Sequence, residues 1–316
     1  SAKPATPMRT AQSVMRNSNI FKIAIAMDFE HQQDVVYGYK DGMGLLMDVF
    51  IPKDHNGAGI IRIMAGGLTS SPTWSHQAAS DASVQNLLKA GYIVFAVAHS
   101  SQPKYTIDDI LPDVPRAVRF IRYHSERFGI TPDRIGITGL SSAGHIALMT
   151  ATYPPVASSE AQDPIDRESS QVQVVVAYFP GADILNFGTD HTTILEHFHS
   201  QGFKADAAFD FHQWNDNTNR YERVIEIEKV RAFYRKNSST THVSASTPPI
   251  LLFHGDKDKL VPIQQSKLLI ASLVKMGVPH KLIVAEGEGH GWESPLENEF
   301  AETLAWFGQY LLENES

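Results

Sequence analysis

Short apolar runs alternate with stretches of helical spacing along most of this chain, and their order predicts its architecture. Residues 35–39 and 45–51 are apolar-rich runs on either side of Lys40-Asp41-Gly42-Met43-Gly44, a pattern that reads as a hairpin with a glycine-containing loop. Residues 59–64 (GIIRIM) predict a third strand ending at Ala65-Gly66-Gly67. Helical spacing over 79–90 stops at Gly91. The run 92–97 (YIVFAV) is continuously apolar, as a strand covered on both faces requires. A long amphipathic helix is expected over about 107–128, with Val114, Val118, Ile121 and Phe128 near one face and Pro112 and Pro115 marking its start. Next comes a short alternating segment, Ile135 and Ile137, leading through Gly139 and Ser141-Ser142-Ala143-Gly144 into another helical pattern. Further strands are expected at 172–179, 250–254 and 281–285, the last flanked by helices at about 263–276 and 296–312.

Eight strands result, two in an opening hairpin and six alternating with helices. Such alternation implies crossover connections, hence an α/β fold with a mostly parallel sheet and helices on both faces. One segment breaks the rhythm. Between Asp183 and Ser246 lie about sixty residues rich in His, Phe, Asn and Asp, with helical spacing near 221–234. That is too long for a simple connection, and a helical cap inserted over the C-terminal edge of the sheet is the economical reading. The expected organisation is an N-terminal arm over 1–34, a core formed by 35–185 and 246–316, and a cap or insertion over 186–245.

Composition narrows the function classes. A chain of 316 residues suits one α/β domain with an insertion. The net charge of −8, without a clustered basic face, argues against nucleic-acid binding. No apolar run approaches the ~18–20 residues of a membrane span. The absence of cysteine excludes disulfides, thiolate catalysis and cysteine-ligated zinc. The chain opens Ser-Ala-Lys-Pro, and a removed signal peptide would leave no trace. A soluble protein is expected, with cytoplasmic and secreted or periplasmic locations both open, as is the oligomeric state.

The candidate chemistry gathers where strands end, which is where active sites collect in open parallel sheets. A strand that delivers a serine onto a tight turn, followed at once by a helix, has the form of a nucleophile elbow. Two serines compete. Ser141 has Gly139 two residues before it, Ser142 has Gly144 two residues after it, and neither completes Gly-x-Ser-x-Gly. Placing the nucleophile two residues beyond the strand-closing glycine favours Ser141 and puts the Ser142 N–H in the first helical turn. A Ser-Ser pair that merely caps a helix is the bland alternative. Such a serine needs a base and an acid to orient it. His290, with glycines on both sides in Gly287-Glu288-Gly289-His290-Gly291-Trp292, follows the last strand and is the expected base. The acid lies in His254-Gly255-Asp256-Lys257-Asp258. Asp258 is far enough from the strand end to reach a neighbouring loop, whereas Asp256 suits turn amides and Asp183 is an outside alternative. Oxyanion donors are expected from Gly66, Gly67 and the N–H of Ser142. The insertion carries Asp190, His191, His197, His199 and His212, and solvated or pocket-lining roles outweigh metal binding there. His145 reads as structural. Trp74, Trp214 and Trp292 fit an acyl or alcohol pocket and core packing equally well.

With these segments in hand, the chain resembles the α/β-hydrolase superfamily, in its esterase/lipase branch related to acetyl esterases and prolyl-oligopeptidase-like hydrolases. The resemblance runs from about Val35 to the C-terminus apart from the insertion. It rests on AGG (65–67), GITPDRIGITGLSSAGHIAL (129–148), HGDKDKLVP (254–262) and GEGHGW (287–292). In that family the nucleophile is followed by histidine at the fourth position and alanine at the sixth, which His145 and Ala147 match for Ser141 alone. The segment His-x-x-x-Asp-x-x-Val-Pro in this chain implies Asp258 as the acid. Two positions depart from the pattern: Met64-Ala65-Gly66-Gly67 stands for a His-Gly-Gly-Gly oxyanion segment, and Ala143 stands for the elbow's second glycine. The resemblance implies an eight-stranded α/β-hydrolase fold and a serine carboxylesterase acting on small-molecule, short-chain or sugar-linked acyl esters, with no metal or organic cofactor. A serine peptidase or aminoacyl hydrolase, and a catalytically silent ligand-binding fold, are the alternatives.

Overall fold

The computed structural model describes residues 28–188, 192–292 and 295–312. Eight strands form the central sheet: β1 (Phe29–Lys40), β2 (Met43–Pro52), β3 (Gly59–Ile63), β4 (Ile93–Val97), β5 (Ile135–Leu140), β6 (Val174–Tyr178), β7 (Ile250–Gly255) and β8 (His280–Ala285). Their order across the sheet is β1-β2-β4-β3-β5-β6-β7-β8. β2 pairs antiparallel with both neighbours, while every pairing from β4 to β8 is parallel. The fold is thus the expected α/β-hydrolase sheet.

Every residue of β3, β4 and β6 is buried, as expected of strands covered on both faces; the one charged residue among them, Arg62 of β3, is paired with Asp81. Alternate side chains enter two separate cores. Ile61, Phe95, Ile137, Val175 and Leu252 point into one. Ile60, Val94, Val176, Leu251 and Phe253 point into the other, where Phe307 of the last helix packs. Gly136 makes room for that helix, since a Cβ there would lie 2.9 Å from both Ile60 and Phe307.

The helices that matter for the site are α1 (Pro72–His76), α2 (Ala82–Lys89), α3 (Asp113–Tyr123), α4 (Ser142–Thr152), α5 (Ile194–Ser200), α6 (Ile227–Lys236), α7 (Gln264–Met276) and α8 (Glu299–Leu311). Three expectations need correction. The arm expected over 1–34 ends earlier, because Phe29 to Gln32 already pair with β2 and Gln33 and Asp34 lie in a register shift of the same strand; residues 1–27 of the arm lie outside the described residues. Two register shifts in β1 break the alternation that would have revealed it. The helix expected over 107–128 is three pieces, with single turns at Ile107–Ile110 and Ser125–Phe128 on either side of α3. Pro112 sits at the N-cap of α3, and Gly129, in the left-handed region at φ 73°, ends the last turn.

The segment 186–245 is also less helical than its spacing suggested. It holds α5, α6 and a small antiparallel hairpin, His212–Asn215 with Arg220–Arg223, so residues 221–223 are strand and the helix begins only at Ile227. The side chains of Gln264 and Gln265 on α7 hold the start of this segment through the Asn186 carbonyl, and Gln265 also accepts the Ala182 and Asp183 N–H groups. Among the described residues no helix is long and apolar enough to cross a membrane.

Candidate active site

At the end of β5 the chain turns into α4 through a single strained residue. Ser141 has φ 55° and ψ −119°, a region that costs a residue with a side chain roughly 1–3 kcal/mol. The turn is held from two sides. The Ser141 N–H donates to the Tyr178 carbonyl on β6 (2.9 Å), and its own carbonyl accepts the His145 N–H in α4 (3.0 Å). Gly139 is obligatory here, because a side chain on it would overlap the Ala143 carbonyl. The second close approach falls at Gly144, where a Cβ would meet Pro180 at 3.0 Å. Ala143, with ordinary helical torsions, is fully buried and needs no glycine, which accounts for the departure at that position.

Three loops from three strand ends meet at this turn. Ser141 Oγ lies 2.8 Å from His290 Nε2, and His290 Nδ1 lies 2.7 Å from Asp258 Oδ2. The other Asp258 oxygen accepts the N–H groups of Leu260 (3.0 Å) and Val261 (2.9 Å), which fix the carboxylate. His254 stands behind it, its Nε2 3.5 Å from Asp258 Oδ2 and donating to the Val261 carbonyl, its Nδ1 accepting from Ser266. Burial alone would raise the Asp258 carboxyl. Hydrogen bonds from His254 and His290, the His290 charge and the Val261 amide outweigh burial and hold it at about 2. The carboxylate is therefore ionised at any working pH and keeps its proton-accepting face towards His290.

His290 reaches this point because its loop crosses the end of β7 at very close range. Gly255 is the residue crossed, and a side chain there would overlap the carbonyls of Glu288 and Gly289. Asp256 ties the same loop down by accepting the Gly287 N–H (2.7 Å), a turn role rather than a contact with His290. Asp183 is spent likewise on the N–H groups of Leu185 and Asn186. Phe179 sets an edge against the His290 ring at 4.8 Å, and Trp292 packs on Phe179 at 5.4 Å while donating to Glu299. Of the other tryptophans, Trp74 lies partly buried against the second core, and Trp214 is exposed on the hairpin of the insertion.

The glycine turn stands beside the first turn of α4. Gly66 lies in a two-residue ladder, Ala65–Gly66 against Thr69–Ser70, and Gly67 has φ 58° with open space where a Cβ would be. Met64, at the place of the family histidine, is buried. The neck of the loop is closed instead by Ser70, whose Oγ donates to the Met64 carbonyl at 2.6 Å. One contact was not visible in the sequence: the Leu68 N–H donates to Ser142 Oγ at 3.0 Å, so this hydroxyl clasps the glycine turn to α4. The Ser142 N–H, at the first position of the helix, has no acceptor within it.

The histidines of the insertion do not converge. His197 bonds the Lys259 carbonyl, which ties α5 to the loop of Asp258; His199 pairs with Asp206, and His212 bonds the Asp210 carbonyl. Asp190 and His191 lie outside the described residues. His145 is buried with Nδ1 on the Gly181 carbonyl, and burial pulls it down to about 4 against that hydrogen bond, so it is neutral.

Chemically, the arrangement offers a serine hydroxyl beside a neutral or protonated imidazole fixed from behind by a carboxylate, with free N–H groups at a helix start. Such an arrangement is chemically able to attack a carbonyl carbon. Known proteins agree with the fold. A solved carbohydrate esterase from gut microbiota superposes with a TM-score of 0.71 at 22% identity, covering 92% of this chain and 99% of that one. Esterase 2 of Thermogutta terrifontis, solved with propionate bound, superposes with a TM-score of 0.64 at 20% identity over 90% of this chain and 94% of that one. A probable isoprenylcysteine alpha-carbonyl methylesterase of Arabidopsis thaliana is 25% identical over 82% of this chain and 50% of its own length. A probable carboxylic ester hydrolase of Mycobacterium tuberculosis, LipM, is 25% identical over 79% of this chain and 53% of its own. The chain spans about half the length of these curated relatives. The family model for BD-FAE matches residues 47–273, from β2 through most of α7. With most of the sheet and the serine turn inside that match, the chain belongs to the BD-FAE family.

Proposed function

We propose that the protein is a serine carboxylesterase that cleaves short-chain or sugar-linked acyl esters through an acyl-enzyme. The observation that carries this reading is the continuous hydrogen-bonded path to Asp258 through His290 from Ser141 Oγ, which sits on the strained turn at the head of α4. In the proposed reaction His290 Nε2 takes the Ser141 proton as Oγ attacks the acyl carbonyl. Asp258 keeps the proton on Nδ1 and steadies the imidazolium. The oxyanion is received by N–H groups of Ser142, Gly67 and Gly66. His290 then protonates the leaving alcohol, and a water activated by the same imidazole releases the acid.

The supporting features are chemical. The helix start behind Ser141 favours the developing negative charge, and Gly67 leaves its surroundings open. Relatives named as a methylesterase and a carboxylic ester hydrolase favour ester over amide substrates. The test is hydrolysis of p-nitrophenyl acetate, butyrate and octanoate, with acetylated and feruloylated sugars beside them. Turnover should be greatest on short or sugar-linked acyl groups and vanish in Ser141→Ala. Unchanged turnover in that variant would refute the reading, and faster cleavage of peptide p-nitroanilides than of esters would move the site to the aminoacyl-hydrolase alternative.

A further inference from the structure

Away from the serine turn, four polar side chains from three elements meet at one edge of the sheet. His76, the last residue of α1, has Nε2 2.9 Å from Asp34 Oδ1 on β1 and 3.8 Å from Asp48 Oδ1 on β2. The three ligand atoms all lie within 4.8 Å of one another. Asp48 is only 1% exposed, whereas Asp34 is half exposed and His76 a third, so the cluster is walled by protein on one side and open to solvent on the other. Behind it, His31 Nε2 holds the second oxygen of Asp48 at 2.6 Å, and the His31 ring is stacked on Phe50 at 4.2 Å. The Asp34 N–H donates to the Asp48 oxygen that faces the cluster (3.1 Å).

Two carboxylates and an imidazole nitrogen gathered this closely are the donor set of a borderline divalent cation. Metal–ligand bonds of about 2.0–2.1 Å in a tetrahedral shell separate neighbouring ligand atoms by roughly 3.3–3.4 Å. The two separations from His76, 2.9 and 3.8 Å, straddle that value, and all three ligand atoms lie within 4.8 Å of one another, so modest side-chain shifts would bring them to three corners of the shell and leave the fourth to solvent. The nitrogen ligand and the small donor number disfavour calcium and magnesium, which take six or more oxygens. The bond from His31 to the outer oxygen of Asp48 is the kind of supporting contact that orients a metal-bound carboxylate.

We infer that Asp34, Asp48 and His76 form a binding site for a zinc-type divalent transition-metal ion, with solvent at the open position. The ion joins the β1–β2 hairpin to the helix that follows the glycine turn. This site is separate from the serine chemistry and does not depend on the proposed activity.

The experiment uses the full chain, free of any affinity tag and stripped of metal by chelator and dialysis. Zinc affinity is read by competition with a chromophoric chelator, and the thermal midpoint is read with and without zinc. One zinc per chain is expected, with a raised midpoint. Binding should weaken at least tenfold in His76→Ala and in Asp34→Asn, and should be unchanged in His199→Ala, which breaks an exposed His–Asp pair elsewhere. Asp34 has φ 53°, a region asparagine also tolerates, so Asp34→Asn keeps the backbone and the hydrogen bond while removing the charge. Absence of zinc binding, or equal affinity in wild type, His76→Ala and Asp34→Asn, would overturn the inference and leave the cluster as plain ion pairs.

Discussion

Replacing Asp258 by asparagine is the perturbation whose outcome the geometry fixes most tightly. One oxygen of Asp258 accepts two backbone N–H groups, from Leu260 and Val261, and the other faces His290 Nδ1. An asparagine must keep its carbonyl on the two backbone donors, because an NH2 turned that way would meet donors head on. Its NH2 group is thereby forced towards His290. Nδ1 then has to act as acceptor, which moves the imidazole proton to Nε2, the atom 2.8 Å from Ser141 Oγ. An Nε2–H cannot take the serine proton. The cost is a wrong tautomer together with the lost support for the imidazolium, on the order of 10^4 in kcat, or about 5 kcal/mol of transition-state stabilisation. Stability should change far less, since shape and the backbone bonds are kept. The assay is kcat for p-nitrophenyl acetate alongside a thermal melt. A folded Asp258→Asn variant with kcat within tenfold of wild type would show that Asp258 does not set the tautomer of His290.

Further outcomes follow from single contacts. Ser142→Ala keeps the N–H proposed for the oxyanion but removes the acceptor of the Leu68 N–H. One hydrogen bond of about 0.5–1.5 kcal/mol predicts a fall of about two- to twelvefold in kcat, restored in Ser142→Thr; equal rates in all three would show that the clasp does nothing. Gly139→Ala forces the Ala143 carbonyl away and should destabilise the fold by about 1–3 kcal/mol in urea unfolding, and an unchanged midpoint would contradict the packing argument. His145, held at about 4 by burial, stays neutral while an unfolded chain protonates near 6.5. Its contribution to stability is therefore complete above about pH 6.5 and drains away as the pH falls towards 4, so His145→Gln should flatten the pH dependence of unfolding in that window. An identical slope in the variant would assign the pH dependence to other groups.

Much of this organisation was legible because its determinants are local. The unbroken apolar run of β4, the mostly apolar run of β3 and the small residues around Ser141 and His290 each sit within a few consecutive positions, so the order of strands and loops could be read directly. Even the choice between Asp256 and Asp258 had a local basis, reach from the strand end. What escaped the sequence depends on contacts between distant segments. β1 begins at Phe29, but its register shifts hide the alternation. The hairpin at 212–223 shows no strand-like alternation, and its second strand overlaps the stretch whose spacing suggested a helix. The hydroxyl of Ser142 finds its partner 74 positions away, and His76 meets Asp34 across 42. No spacing rule connects such pairs, because the sheet order rather than the chain brings them together.

In the proposed reaction Ser141, and not its neighbour Ser142, is the activated nucleophile. A fluorophosphonate that phosphonylates activated serines tests it directly, with intact-mass measurement followed by peptide mapping. One adduct per chain is expected, carried on Ser141, lost in Ser141→Ala and retained in Ser142→Ala. An adduct mapped to Ser142, or wild-type protein that stays unmodified while a serine esterase control reacts, would contradict it.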